Sequence, residues 1–173
     1  MGKQYKELSE NDIKFIEKQK LFFIASASTA EVNLSPRGYD CVRVEDACTI
    51  HMLDLPGSGN RTARDSQNNG KFTLLFTAFD GKPNLLRLFC SAEIMKEGEE
   101  GFSQIFEKFD MPQDITRQIF KFTINAVESS CGMSVPIMNY EQNRDALKDW
   151  AIDKANKGDL TAYIDKHEIP PVL

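Results

Sequence analysis

The sequence predicts a mainly β fold of the α+β class, with roughly six antiparallel strands closing into a small Greek-key barrel flanked by helices. Three observations carry this. Apolar and polar residues alternate through 71–79 and 118–127, the period of a strand with one buried face. The strand segments are separated mostly by turns of hairpin length, such as Asp80-Gly81-Lys82-Pro83, and strands joined this way pair antiparallel. No regular strand-helix-strand alternation runs along the chain, and its glycines lack the dinucleotide-binding spacing, which weighs against a doubly wound nucleotide fold.

Each element follows in chain order. Ser9 with Asp12 three residues later forms a capping box, and Ile13 and Ile16 continue at helical spacing, so a helix is predicted over about 9–19. The β-prone run 21–27 and the segment 32–35 make a hairpin. Val42, Val44, Cys48, Ile50 and Met52 fall on even positions around a turn placed at Glu45-Asp46, giving two short strands. A short polar helix over about 58–68 stops at Asn68-Asn69-Gly70. Strands over 71–79 and 84–96 form the clearest hairpin. A brief helix carrying Phe102, Ile105, Phe106 and Phe109 precedes the strand from 118. After a loop at 131–136, a C-terminal helical segment is predicted over about 141–167, with Leu147, Trp150, Ala151 and Ala155 on one stripe. Without repeats or a long linker, 1–173 reads as one domain.

A net charge of -5 argues against a broad basic face of the kind that neutralises a nucleic-acid backbone. No stretch approaches the roughly 20 apolar residues of a membrane span, and the first residues show no signal-peptide run, so a cytoplasmic location is expected. The 4 Cys lack C-x-x-C pairing and have only 2 His beside them, so they read as structural thiols rather than a zinc set, and no metal is expected.

The chemistry-bearing stretch is Gly57-Ser58-Gly59-Asn60-Arg61-Thr62. Its glycines let backbone N–H groups approach an anion, the following helix adds its positive end, and Arg61 can close on a phosphate bidentately. On spacing alone an ordinary Gly-Ser loop with solvated arginines remains the alternative, because the pattern is not a Walker sequence. Ser35-Pro36-Arg37-Gly38 offers a hydroxyl and a guanidinium that suit a carbonyl-rich ring or a phosphate oxygen, a plain β-turn being the alternative. Arg87 sits mid-strand among apolar neighbours, where a buried charge demands an anionic partner; the alternative is a solvent-facing arginine paired with a surface carboxylate. No nucleophile-base pair or paired-carboxylate site stands out, and the catalytic residues are left unassigned.

Taken in order, Val32-Asn33-Leu34-Ser35-Pro36-Arg37-Gly38, Gly57-Ser58-Gly59-Asn60-Arg61, Phe76-Thr77-Ala78-Phe79-Asp80-Gly81-Lys82-Pro83 and Leu85-Leu86-Arg87-Leu88 resemble the pyridoxamine 5′-phosphate oxidase-like family of FMN-binding split barrels. The resemblance implies a six-stranded split barrel that forms a homodimer and holds FMN in a groove between subunits. It implies that Asn60 and Arg61 hold the phosphate, and that Ser35, Arg37 and Arg87 line the flavin or phosphate surroundings. It further implies an oxidoreductase acting on a small-molecule substrate, or a non-catalytic module that stores or senses flavin. The residues from Lys166 onward do not match the Arg-Leu-containing segment with which true pyridoxamine-phosphate oxidases contact substrate, so a B6 substrate does not follow.

Overall fold

A computed structural model describes residues 2–170. Eight antiparallel strands form one sheet, in the order β3-β2-β6-β7-β8-β5-β4, with β1 beside β8. These are β1 (Lys3–Tyr5), β2 (Phe22–Ala27), β3 (Asn33–Arg37), β4 (Val42–Asp46), β5 (Thr49–Asp54), β6 (Lys71–Thr77), β7 (Leu85–Met95) and β8 (Gln118–Ser130). The helices are α1 (Glu10–Lys18), α2 (Arg61–Gln67), α3 (Phe102–Phe106), α4 (Ala146–Asn156) and α5 (Leu160–Lys166). The strand count exceeds the six expected. The strand that escaped prediction altogether, β1, has three residues and no apolar alternation; only its pairing with β8, Lys3 opposite Ser129 through Tyr5 opposite Val127, makes it a strand.

β8 is the spine of the sheet. One edge pairs with β7 along nearly its whole length; the other takes β5 over residues 118–123 and β1 over 127–129. The path ends at β3 on one side and β4 on the other. These two do not pair with each other, and that gap is the split in the barrel.

The predicted stripes are the core. Phe72, Leu74 and Phe76 of β6, Leu86 and Leu88 of β7, and Phe120 and Phe122 of β8 are buried, with Phe22 stacked on Phe76 at 5.1 Å between centroids. The Ser9 box caps α1: Asp12 donates its backbone N–H to Ser9 Oγ and accepts the Ser9 N–H at 2.9 Å. Two boundaries shift. The turn expected at Glu45-Asp46 falls later, because β4 runs on to Asp46 through a register irregularity after Val44. The helix expected from 141 begins at Ala146, since residues 141–144 are exposed and bury no apolar side chain that would repay helix formation. The chain ahead of it instead crosses the surface, tied by Met138 N–H to the Phe79 carbonyl and by Tyr39 Oη to the Arg144 carbonyl.

Gly70, which ends α2, has no room for a side chain. A Cβ there would lie 2.7 Å from the Asp65 carbonyl oxygen and 2.9 Å from that of Ala27. Gly70→Ala is expected to destabilise the protein by about 1–3 kcal/mol, read as a fall in the midpoint of urea unfolding at unchanged slope.

Candidate functional site

The split in the barrel is bridged by side chains. From β3, Arg37 crosses to the end of β5, where its Nη1 donates to Asp54 Oδ1 at 3.0 Å, and its Nη2 reaches Thr62 Oγ1 of α2 at 3.4 Å. Asp54 is buried and accepts a second bond, from Gln118 Nε2 at 3.0 Å, so the anchor for Arg37 is fixed from two strands. Asn33 ties the same β3 edge to α2 by donating to Thr62 Oγ1 at 3.3 Å and to Ser26 Oγ at 3.1 Å.

Between β3 and the loop ahead of α2 lies a cleft of about 310 Å³, lined among others by Ser35, Arg37, Gly57, Gly59, Asn60 and Arg61. That volume is at the small end of ligand sites. Four of the five residues singled out from sequence meet here. Arg37 keeps its Nε buried and without a partner among the described residues. Arg61 points its Nε toward Glu31 Oε2 at 3.9 Å, and Glu31 also pairs closely with Arg64. Ser35 Oγ donates to Asn33 Oδ1 at 3.3 Å. Asn60 is nearly buried, and its side chain is engaged: it donates to the Glu168 carbonyl at 3.0 Å and accepts from Gln118 at 3.2 Å. What Asn60 can offer the cleft is its backbone.

A Cβ added at Gly57 or Gly59 meets nothing within 4 Å, and neither takes a positive φ. The protein's own packing therefore does not require glycine at these positions. Open space over a bare backbone is what an approaching anion needs.

Arg87 is placed elsewhere. It projects from the middle of β7 opposite Glu128 of β8, donating from Nη1 to Glu128 Oε1 at 3.1 Å and to Ser130 Oγ at 3.2 Å, and it does not line this cleft. The anionic partner that its mid-strand position demands is Glu128, half-exposed on the outer face of the sheet.

Beneath the cleft α2 is anchored by Asp65, which is fully buried and accepts from Ser26 Oγ and Ser28 Oγ, each at 2.6 Å, and from Arg64 at 2.9 Å. Burial alone would raise its pKa, but these donors outweigh burial and hold it below its ordinary value of 3.8. The thiols of Cys41 and Cys90 are pushed up to about 12 by burial, which keeps them protonated and unreactive. Among the described residues no group of His, Cys, Asp and Glu is arranged to hold a metal ion, and no helix is long and apolar enough to cross a membrane.

The sequence reading passed over Asp54, Glu31 and Arg117. Asp54 carried one signal, a carboxylate closing an apolar strand immediately ahead of the glycine loop.

No family model matches the chain. A curated relative, the pyridoxamine 5′-phosphate oxidase family protein ustO of Aspergillus flavus, is 27% identical over 176 residues, covering 92% of this chain and 71% of that protein. A solved structure described as a putative pyridoxamine 5′-phosphate oxidase from Lactobacillus delbrueckii superposes with a TM-score of 0.55 at 15% identity, covering 71% of this chain and 98% of that one. The chain resembles the pyridoxamine 5′-phosphate oxidase-like family and shares its fold. Two further structures share this fold. HupZ from Group A Streptococcus aligns with a TM-score of 0.57 and 17% identity over 70% of this chain and 98% of its own. An FAD-binding protein of Mycobacterium smegmatis aligns with 0.53 and 10% identity over 73% and 97%. At such identities these solved structures speak to the fold alone.

Proposed function

We propose that this chain binds FMN, with the phosphate in the cleft between β3 and the glycine loop, and works as an FMN-dependent oxidoreductase on a small molecule. The observation that carries the reading is the meeting of Arg37, Arg61, Ser35 and an open glycine backbone in one cleft, from segments far apart in the chain. The residues present fit a phosphate monoester. Two guanidiniums supply charge and paired donors, Ser35 supplies a hydroxyl, and the space over Gly57 and Gly59 is unfilled. The FAD-binding neighbour adds support for a flavin on this fold.

Arg61 would hold the phosphate directly. Arg37, steadied by Asp54, would face the phosphate or the ring carbonyls, where its N–H donors would stabilise a reduced, anionic ring. FMN would supply the redox chemistry; the protein would bind, orient and shield it, which accords with a cleft lined by no His, Cys or Glu.

A homodimer completes the proposal. The outer face of the sheet carries Phe23, Ala25, Leu34, Leu75 and Phe89, with Leu34 66% exposed. A face of this kind is suited to burial against a second copy, and Arg87 lies on it. Four free cysteines suit a reducing cytoplasm.

The test is absorbance and sedimentation of the purified protein. Flavin bands released by heat as FMN, in a particle of twice the chain mass, are the expected result. A colourless protein that takes up no added FMN overturns the reading. Bound flavin that neither NAD(P)H nor any tested substrate reduces would assign the chain to flavin storage or sensing instead.

A further inference from the structure

The glycine loop has a cleft on each side. In front is the one already described; behind it is a second, lined by Lys96, Arg117 and Gln118 together with Glu97, Asp165 and Glu168, with Asn60 shared between the two. Arg117, just ahead of β8, reaches the loop from behind. Its Nη2 donates to the Gly57 carbonyl at 2.8 Å and its Nη1 to the Gly59 carbonyl at 3.0 Å. Among the described residues no carboxylate forms an ion pair with it. Burial draws its pKa down, although an arginine stays cationic at neutral pH.

We infer that Arg117 is a positioning residue of the phosphate subsite, holding the carbonyls of Gly57 and Gly59 to the rear so that the Ser58 and Asn60 N–H groups face the cleft. The inference rests on the phosphate reading above. Its geometry follows from the peptide bond. In a trans peptide the C=O of one residue and the N–H of the next point in opposite directions, and no cis peptide occurs among the described residues. Fixing the Gly57 carbonyl toward Arg117 therefore turns the Ser58 N–H away from it, and the Gly59 carbonyl does the same for the Asn60 N–H. Among the described residues no hydrogen bond takes up either group.

The grip is rigid because Arg117 is itself held. Its backbone N–H donates to the Asp54 carbonyl at 2.9 Å, and neighbouring Gln118 bonds both Asp54 and Asn60. Thus the end of β5, the start of β8 and both ends of the loop form one hydrogen-bonded unit. A guanidinium bonded to two carbonyl oxygens also places a cation directly behind the loop, closer to it than any ion-paired carboxylate, which favours an anion in front.

The experiment compares FMN with riboflavin, which lacks the phosphate, by fluorescence titration of the ligand-free full chain and its R117Q and R117K variants. For R117Q, FMN affinity should fall roughly tenfold or more while riboflavin affinity stays within about twofold. R117K keeps the charge but cannot bridge two carbonyls as a planar fork does, so its FMN loss should be smaller. A merely structural role would weaken both ligands together. An unchanged FMN-to-riboflavin ratio in both variants overturns the inference. Should R117Q fail to fold, a reduced ratio in R117K supports the inference and a wild-type ratio overturns it. If the wild-type chain binds no flavin, the phosphate reading fails by itself; ¹⁵N relaxation of Ser58 and Asn60 then decides, loss of order in R117K supporting the grip and unchanged order refuting it.

Discussion

Arg61→Ala is expected to cost FMN binding roughly ten- to a hundredfold while riboflavin affinity hardly moves. The estimate is that for losing a charge-assisted bond, about 1.5–3 kcal/mol. Arg61 lines the cleft at the start of α2, and its neighbour Glu31 is held independently by Arg64, so truncating Arg61 leaves the hairpin tip fastened. The variant should therefore fold as the wild type does, with thermal unfolding of the ligand-free protein little changed. The sharp measurement is the stabilisation that added FMN confers, because a ligand of the native state raises stability by mass action. Equal stabilisation of wild type and variant by FMN would remove Arg61 from the phosphate site.

Asp65→Ala is expected to have the largest effect on the fold itself. Asp65 gathers Ser26 and Ser28 from the end of β2 and Arg64 from its own helix, all onto a side chain with no exposed surface. Truncation strands two hydroxyls and takes from the largely buried Arg64 one of its two carboxylate partners, leaving it Glu31, a loss of roughly 3–5 kcal/mol. Calorimetry should show Tm lower by on the order of 10 °C. The same carboxylate sets an acid limit. Because its pKa in the folded chain lies below the ordinary 3.8, its stabilisation is fully present above that value and is lost as pH falls through the lower, folded-state pKa. Acid unfolding of the wild type should therefore steepen below about pH 4, and Asp65→Asn should flatten that limb. An unaltered acid limb in Asp65→Asn would place the acid sensitivity elsewhere.

Much of the fold is legible in the sequence because its signals are local. Phe72, Leu74 and Phe76 announce a buried strand face by alternation alone, and Ser9 with Asp12 announces a helix start. β1 carries no such signal, since three residues cannot show a period and its strand character comes from β8. The late start of α4 is of the same kind: residues 141–144 are tolerable in a helix but have nothing to bury there.

The site divides along a similar line. The residue types of Ser35-Pro36-Arg37 and Gly57-Ser58-Gly59-Asn60-Arg61 determined by themselves that these loops can hold an anion, since a bare backbone and a guanidinium have that chemistry wherever they stand. Which of them act together was decided only by the tertiary structure. The register of β2 on β3 and of β5 on β8 brings Arg37 to Asp54 across the split, while the strand pairing of β7 with β8 sends Arg87 to Glu128 on the outer face. Arg117 lies 60 residues from Gly57, and in the sequence it is one more charge beside a strand; folding sets it behind the loop, with both carbonyls in its fork. The physical reason is that a side chain's chemistry is intrinsic to the residue, whereas its partner and direction are fixed by hydrogen-bond register between strands distant in the chain.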